Sequence, residues 1–132
     1  MRAVDVGQPD PWRKRYDAPV LGGTPPTVEE LRHAVDAELE AIVERGEGPL
    51  ERACADALLS PGKRVRPILM LLAGGLFGVP AARLVRLGGV VESVHAASLV
   101  LDDLPSMDDA DLRRGRPALH RVYGEAVAIL AA

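Results

Sequence analysis

Apolar residues along this chain recur at helical spacing, and that periodicity limits the fold more than any other feature. Leu31, Val35, Leu39 and Ile42 follow one another at intervals of four, four and three residues, which places them on one face of an amphipathic helix. Aromatic residues make up only 3% of the sequence, so the core must come from Leu, Val, Ile and Ala. Leu and Ala favour helices, and no segment alternates as a strand would. The sequence therefore predicts an all-α fold.

Proline and glycine residues divide the chain into about five helices after a flexible leader, residues 1–26. Thr27 and Glu30 form a capping box that opens the first helix. The third helix is apolar on nearly every face, which predicts a central position in a bundle. Residues 27–132 would form a single domain. The later helices are predicted from Pro49 to about Leu59, from Pro67 through Ile68–Phe77, from about Ala81 to Asp103, and from Pro117 into Ala126–Ala132.

Composition and charge exclude several classes of protein. The net charge of −3 lacks the basic excess of a general nucleic-acid binder, so no nucleic-acid partner is expected. Cys54 is the single cysteine, which excludes an intrachain disulfide and a cysteine-based zinc site. The N-terminus lacks the apolar region of a signal peptide. The longest apolar run, Ile68–Ala82, is shorter than the ~20 residues that span a bilayer. We therefore expect a cytoplasmic protein without a transmembrane segment.

A polar stripe interrupts the otherwise apolar fourth helix. At 100° per residue, Glu92, His95, Ser98 and Asp102 share one side of this helix. Because burying a lone charge is costly, the stripe must face water or line a polar cleft between helices. A single histidine on such a face is more often structural, but its alignment with the aspartates favours a ligand-binding role for His95.

Five aspartates lie between Asp102 and Asp111. In a continuous helix, Asp102 and Asp108 would point about 120° apart and could not chelate one ion. Pro105 removes a backbone donor and clashes with the carbonyl of Leu101, so the helix is expected to bulge or break and let Asp108 swing back. Such hard oxygen ligands suit Mg²⁺ completed by phosphate and water. An EF-hand does not fit, because arginines occupy the positions of its carboxylates and its turn glycine.

Two basic clusters accompany the aspartates. Arg113, Arg114 and Arg116 follow them directly, and Lys63-Arg64-Val65-Arg66 precedes the third helix. A solvated loop with local ion pairs is the usual explanation of a charge run. Here, however, acidic and basic residues are segregated into blocks, and guanidinium groups with a lysine are what diphosphate oxygens require. The combination indicates a Mg²⁺-dependent site for a polyanionic phosphate ester.

Over roughly residues 28–132 the sequence resembles the trans-isoprenyl diphosphate synthase (polyprenyl synthetase) family. The resemblance implies the N-terminal part of the isoprenoid synthase helical bundle. It also implies head-to-tail condensation of isopentenyl diphosphate with an allylic diphosphate, without a side-chain nucleophile. The matching motifs are Pro61-Gly62-Lys63-Arg64-Val65-Arg66-Pro67, Glu92-Ser93-Val94-His95, Asp102-Asp103-Leu104-Pro105-Ser106-Met107-Asp108 and Arg113-Arg114-Gly115-Arg116-Pro117.

The same resemblance implies roles for the matched residues. Asp102 and Asp108 would bind Mg²⁺ that bridges to the allylic diphosphate, and Asp103 would support them in its metal-assisted ionisation. Arg113 would contact the allylic diphosphate. The diphosphate of isopentenyl diphosphate would be held by Lys63, Arg66, His95 and Arg114.

The resemblance also bears, less directly, on the length of the product. In the family, bulky residues about a turn before the first aspartate shorten the floor of the cavity. Ala97 and Ser98, five and four positions before Asp102, are both small. They favour products longer than farnesyl, such as geranylgeranyl diphosphate, because pocket shape discriminates single methylene groups.

Members of the family are considerably longer and carry a second aspartate-rich motif, which this sequence lacks. We therefore expect a truncated N-terminal portion, incomplete as an isolated chain, whose exposed apolar faces pair in a homo-oligomer or with a complementary synthase chain. The alternative is a non-catalytic fragment or subunit that pairs with a full-length synthase. A more distant hypothesis, an RNA-binding helical fragment using the arginines of 113–116, lacks aromatic residues for base stacking.

Overall fold

Helices make up most of the described part of the chain. A computed structural model describes residues 26–43 and 46–132, so the predicted leader lies outside the described residues except at Pro26. Six helices and one two-stranded antiparallel sheet occur in these ranges, which confirms the all-α prediction with one helix more than expected. In chain order the elements are α1 (Val28–Ile42), α2 (Pro49–Leu58), α3 (Val65–Leu76), α4 (Ala81–Asp102), β1 (Leu112–Arg113), β2 (Arg116–Pro117), α5 (Leu119–Tyr123) and α6 (Glu125–Ala131).

The first helix begins as the sequence predicts. The Glu30 backbone N–H donates to Thr27 Oγ1 at 3.2 Å, and the Thr27 N–H donates to the Glu30 carboxylate at 3.0 Å. The predicted capping box is therefore formed. Leu31, Val35 and Leu39 of the apolar stripe are buried, so the face that periodicity identified is the face that packs.

Two apolar clusters hold the helices together. The smaller joins the end of α4 to α6 through Val100, Leu104 and Ala128. Leu104 belongs to the acidic segment that follows α4, and it is only 5% exposed. Burial of a leucine contributes about 1.5–3 kcal/mol, so this side chain anchors the acidic segment to the fold. The larger cluster lies between α1, α3 and α4 and consists of Leu31, Ala34, Val35, Leu39, Ile68, Leu71, Leu84 and Val85.

Helix α3 differs from its prediction at its start and in its burial. It begins before Pro67, which lies in the first turn, where a missing N–H breaks no helical hydrogen bond. One face packs against α4. The prediction of a central helix is wrong for the described residues, because α3 exposes Leu69, Leu72 and Leu76.

The last helical stretch is interrupted in two places. Pro117, which was expected to begin it, ends β2 instead, and α5 starts at Leu119. Gly124, with φ of 81°, then separates α5 from α6. The predictions of a helix from Pro117 and of a chain without strands are wrong here. Strands of two residues and a break at one glycine leave no periodicity in the sequence.

Helix α4 is the only described helix that is long and apolar enough to cross a membrane when length and composition alone are judged. Core helices of globular proteins often meet the same criterion. In the structure α4 packs against α1, α2, α3 and α6, and it carries a buried ion pair through Glu92. It is the helix around which the others assemble.

Candidate functional site

The acidic segment folds back on itself directly after α4. The helix ends at Asp102. Pro105 has no N–H to donate to the Leu101 carbonyl, and this carbonyl accepts instead from the Leu104 N–H at 3.2 Å. The Asp108 N–H donates to the Asp102 carbonyl at 2.9 Å. The backbone therefore makes the predicted break and brings the two candidate metal ligands to the same turn.

Ion pairs divide the five aspartates into two groups. Asp103 is 3% exposed and is held by Arg113, whose Nε lies 3.1 and 3.0 Å from the two carboxylate oxygens and whose Nη2 donates to Oδ1 as well. Arg121 pairs with Asp109 at 3.0 Å and with Asp111 at 2.9 Å. Three of the carboxylates thus have a cationic partner within the chain. Arg121 was not predicted as a partner, because it lies beyond β2 and outside the charged motif.

Asp102 and Asp108 form the second group. Both are exposed, and no other residue in the described ranges forms a hydrogen bond or ion pair with either side chain. The hydrogen bonds that Arg113 donates to Asp103 raise the pKa of Arg113, burial opposes this, and the negative charges of Asp103, Asp102 and Asp108 raise it further. The two unpaired carboxylates therefore lie within electrostatic reach of a fixed guanidinium.

This donor set fits Mg²⁺. No group of three or more His, Cys, Asp or Glu side chains in the described ranges is arranged to hold a metal ion with protein ligands alone. Mg²⁺ does not require such a cage, because it usually takes one or two carboxylates and completes its octahedron with phosphate oxygens and water. Asp102 and Asp108 are the two carboxylates of this segment that could hold such an ion together with a phosphate ligand.

A tight hairpin sends two successive arginines in different directions. Arg113 pairs with Arg116 across the two strands, and the two residues between them, Arg114 and Gly115, have φ of 53° and 78°. Positive φ at both central positions is the signature of a type I′ turn, for which glycine is favoured. Arg113 reaches Asp103, whereas Arg114 Nη1 donates to the Pro61 carbonyl. This turn was not predicted, although the glycine at its second central position was a usable signal.

The loop that carries the first basic cluster lies against this hairpin. A Cβ added at Gly62 would come within 2.7 Å of Arg114 Nη1, so only glycine allows the present contact. Lys63 is exposed and lines one surface depression together with Pro61, Gly62 and Arg114. The structure therefore brings together Lys63 and Arg114, two of the four residues expected to hold isopentenyl diphosphate.

The other two residues of that group also meet. Arg66 Nη1 lies 3.1 Å from His95 Nε2. A guanidinium has only donors, so Nε2 accepts and the ring proton of a neutral His95 lies on Nδ1. His95, Arg113 and Arg114 line a cavity of about 220 Å³ between α2, α4 and the hairpin. The predicted residues thus occupy one region of the molecule.

Arg64 differs from the other members of its cluster. Its side chain is 5% exposed and pairs with Asp36 and Glu92 at 2.8 and 2.9 Å. Burial acts to lower the pKa of Arg64, but hydrogen bonds and charge from Asp36 and Glu92 raise it overall, so the guanidinium stays charged. Glu92 therefore belongs to a buried ion pair, and it also lines the cavity beside His95, as the polar stripe predicted.

The residues proposed to set product length lie one turn before the acidic segment. Ala97 is half-buried and Ser98 is exposed, and Ser98 Oγ donates to the His95 carbonyl at 2.8 Å. Neither residue is among those that line the cavity shared by His95, Arg113 and Arg114.

Comparison with known proteins places this geometry among prenyl diphosphate synthases. Residues 48–132 match the family model described as polyprenyl synthetase. The chain is 48% identical over 108 residues to a geranylgeranyl diphosphate synthase of Pantoea ananas, covering 79% of this chain and 36% of that protein. It is 46% identical over 104 residues to a farnesyl diphosphate synthase of Geobacillus stearothermophilus, covering 77% and 35%.

The fold has close counterparts among solved structures. An isoprenoid synthase family member from Thermotoga neapolitana superposes with a TM-score of 0.73 at 42% identity, covering 76% of this chain and 40% of that one. The predicted isoprenoid synthase bundle is therefore confirmed. The chain spans about a third of the length of the curated relatives it matches.

Proposed function

This chain belongs to the polyprenyl synthetase family, and from that premise we propose that it acts in trans-prenyl transfer, joining isopentenyl diphosphate to an allylic diphosphate. One observation carries the proposal. Within the acidic segment, ion pairs hold Asp103, Asp109 and Asp111, while Asp102 and Asp108 stay exposed on one turn. The fold of this segment leaves two carboxylates available to a ligand instead of pairing them with cations of the chain.

The allylic diphosphate is assigned to this turn. Asp102 and Asp108 would hold Mg²⁺, which supplies charge neutralisation for a departing diphosphate. Arg113 would add a cation beside them. Because its guanidinium is already fixed by Asp103, little reorganisation is needed when negative charge develops on the diphosphate.

The diphosphate of isopentenyl diphosphate is assigned to the neighbouring cations. Lys63 and Arg114 face one depression, and Arg66 is in contact with His95. Arginine forks and a lysine point charge together match the oxygens of a diphosphate. The two diphosphates would thus be held side by side, one by carboxylates through metal and one by cations directly.

Product length is proposed to be geranylgeranyl-type or longer. The support is that Ala97 and Ser98, one turn before Asp102, both carry small side chains. The matched relatives include proteins named for both geranylgeranyl and farnesyl diphosphate. Chromatography of the products formed by an Ala97→Phe variant tests this proposal. Shorter products are expected if this position forms the floor, and an unchanged product distribution would contradict it.

Calorimetric titration of the purified chain tests the site directly. Inorganic pyrophosphate should bind with Mg²⁺ present and lose at least tenfold in affinity in the double variant Asp102→Asn/Asp108→Asn, since charged ligand contacts contribute about 1.5–3 kcal/mol each. The matched control is Asp109→Asn/Asp111→Asn, which removes the same charge from carboxylates that Arg121 already engages. Equal losses in the two double variants would overturn the assignment.

A second candidate function is a non-catalytic chain that pairs with a full-length or complementary synthase. The exposed apolar residues of α3, among them Leu76 at 82% exposure, favour it. Incubation with Mg²⁺, isopentenyl diphosphate and farnesyl diphosphate separates the two functions. Product formed by the isolated chain favours the enzyme, whereas ligand binding without product favours the pairing chain, either as a homo-oligomer or with a complementary partner.

A further inference from the structure

The Arg64 guanidinium joins three separate parts of the chain. Nε donates to Asp36 Oδ1 of α1 at 2.8 Å, Nη1 donates to Glu92 Oε1 of α4 at 2.9 Å, and Nη2 donates to the Ser60 carbonyl of the preceding loop at 3.0 Å. Each partner uses a different nitrogen. A lysine offers one point charge and could not make this three-way connection.

The backbone of Arg64 is as specific as its side chain. Arg64 has φ of 49° and ψ of 35°, a left-handed conformation that is strained for an L-residue and persists only where the surrounding structure holds it in place. The Arg64 carbonyl accepts from the Ile68 N–H at 3.1 Å and so sets the start of α3. The side chain and the backbone of one residue therefore fix where the loop ends and in which direction the helix leaves.

Two binding cations depend on that fixed point. Lys63 precedes Arg64 directly, and Arg66 lies in the first turn of α3, where it meets His95. Gly62 completes the arrangement, because a Cβ there would lie 3.2 Å from Arg64 Nη1 and 2.7 Å from Arg114 Nη1. The loop at Gly62 thus passes between the buried guanidinium of Arg64 and the exposed guanidinium of Arg114.

We propose that Arg64, whose three guanidinium nitrogens are all engaged by protein groups, is the positioning residue of the isopentenyl diphosphate site and acts by orienting Lys63 and Arg66. The inference rests on the proposed function, because it presumes that these two cations bind the diphosphate. What it adds is that Arg64, the buried cation of this loop, controls the affinity for isopentenyl diphosphate by positioning Lys63 and Arg66.

The variant Arg64→Lys tests the proposal, because it keeps the charge beside Glu92 and changes the geometry. Misplacement of binding groups by about 1 Å can cost on the order of a hundredfold. We expect calorimetry to show a loss of at least tenfold in affinity for isopentenyl diphosphate, while the Mg²⁺-dependent affinity for pyrophosphate at Asp102 and Asp108 stays within about twofold.

Val85→Ala serves as the stability control. Val85 is 5% exposed in the larger core cluster and has no part in the loop. This variant should lower the melting temperature and leave affinity for isopentenyl diphosphate within twofold at a temperature where both variants are folded. If Val85→Ala weakens the affinity as much as Arg64→Lys does, Arg64 acts only on stability and the proposal is overturned.

A spectroscopic readout separates this inference from the proposed function. The ¹⁵N shift of His95 Nε2 reports its hydrogen bond to Arg66, and it should move in Arg64→Lys but not in Val85→Ala. If Arg64→Lys binds isopentenyl diphosphate as the unsubstituted chain does, the inference alone fails. If the unsubstituted chain binds no isopentenyl diphosphate, the proposed function fails and the inference falls with it, whatever the histidine shift.

Discussion

The carboxylates of the acidic segment are chemically alike, and they differ in the cation, if any, that pairs with them. Asp103 is buried beside Arg113, and a buried carboxylate without its cation is costly because desolvation is no longer compensated. Asp109 and Asp111 share Arg121 at the surface, where ion pairs contribute little. The same residue type therefore anchors the segment at one position and remains available at another.

Loss of Arg113 should destabilise the fold. Arg113→Ala leaves Asp103 buried and unpaired, and we expect it to lower the free energy of unfolding by about 2 kcal/mol. This is less than the roughly 3–5 kcal/mol typical of fully buried pairs, because the Arg113 side chain is 37% exposed. Denaturant titration measures this. Arg121→Ala is the control and should lose less than about 1 kcal/mol. Addition of Asp103→Asn to Arg113→Ala should recover part of the loss, and equal stability of the two single variants would contradict the assignment.

Gly62 should matter for binding more than for folding. An added Cβ would displace the end of the Arg114 side chain, which is flexible, so Gly62→Ala should fold with little loss of stability. We expect about tenfold weaker binding of isopentenyl diphosphate, the cost of one charged hydrogen bond. Gly75→Ala is the matched control, because a Cβ there meets nothing within 4 Å and a helix-interior alanine should stabilise by about 0.5–1 kcal/mol. Unchanged affinity in Gly62→Ala would remove Arg114 from the site.

Among the secondary-structure elements, those with local signals were predictable and those set by distant contacts were not. The capping box at Thr27 and the break before Pro105 follow from neighbouring residues, and both occur as expected. The start of α3 was placed two residues late, because Arg64 adopts its left-handed conformation through partners 28 residues away on either side. No periodicity within the segment contains that information.

The break between α5 and α6 gives a prediction at this scale. Gly124 has φ of 81° and ψ of 158°, a region that is essentially restricted to glycine. Gly124→Ala should lower the free energy of unfolding by about 1–3 kcal/mol, measured by chemical denaturation, because the chain must strain or repack. Glu125→Ala, next to it in the first turn of α6, is the control and should change stability by less than 1 kcal/mol. A stable Gly124→Ala chain with higher helicity would mean that the break is dispensable.

At the level of the whole molecule, the site is assembled from regions far apart in sequence. Arg114 reaches Pro61 across 53 positions, and Arg66 reaches His95 across 29. The motifs identified these residues, but only the packing of α3 and the hairpin around α4 shows which of them meet and that Arg64 is diverted to the interior. The sequence motifs identified the charged residues of the site. Only the fold distinguishes the arginines that are available to bind a ligand from those that are buried in structural ion pairs.

The apolar surface of α3 predicts how the molecule behaves in solution. Leu69, Leu72 and Leu76 recur at intervals of three and four on one face and are 60%, 45% and 82% exposed. Contiguous apolar surface of this kind drives association. Light scattering after size exclusion, at tens of micromolar protein, should therefore give a mass larger than that of one chain.

Charges placed on that face should disperse the assembly. We expect Leu69→Lys/Leu76→Lys to shift the mass toward a single chain, because association would then have to bury two unpaired ammonium groups. Val28→Lys is the matched control, since Val28 is a similarly exposed apolar residue (62%) that belongs to α1 rather than to α3, and its replacement should leave the mass unchanged. If the unsubstituted chain is monomeric under these conditions, or if Val28→Lys disperses it equally, the face of α3 is not what holds copies together, and the pairing proposed for this chain would have to use another surface.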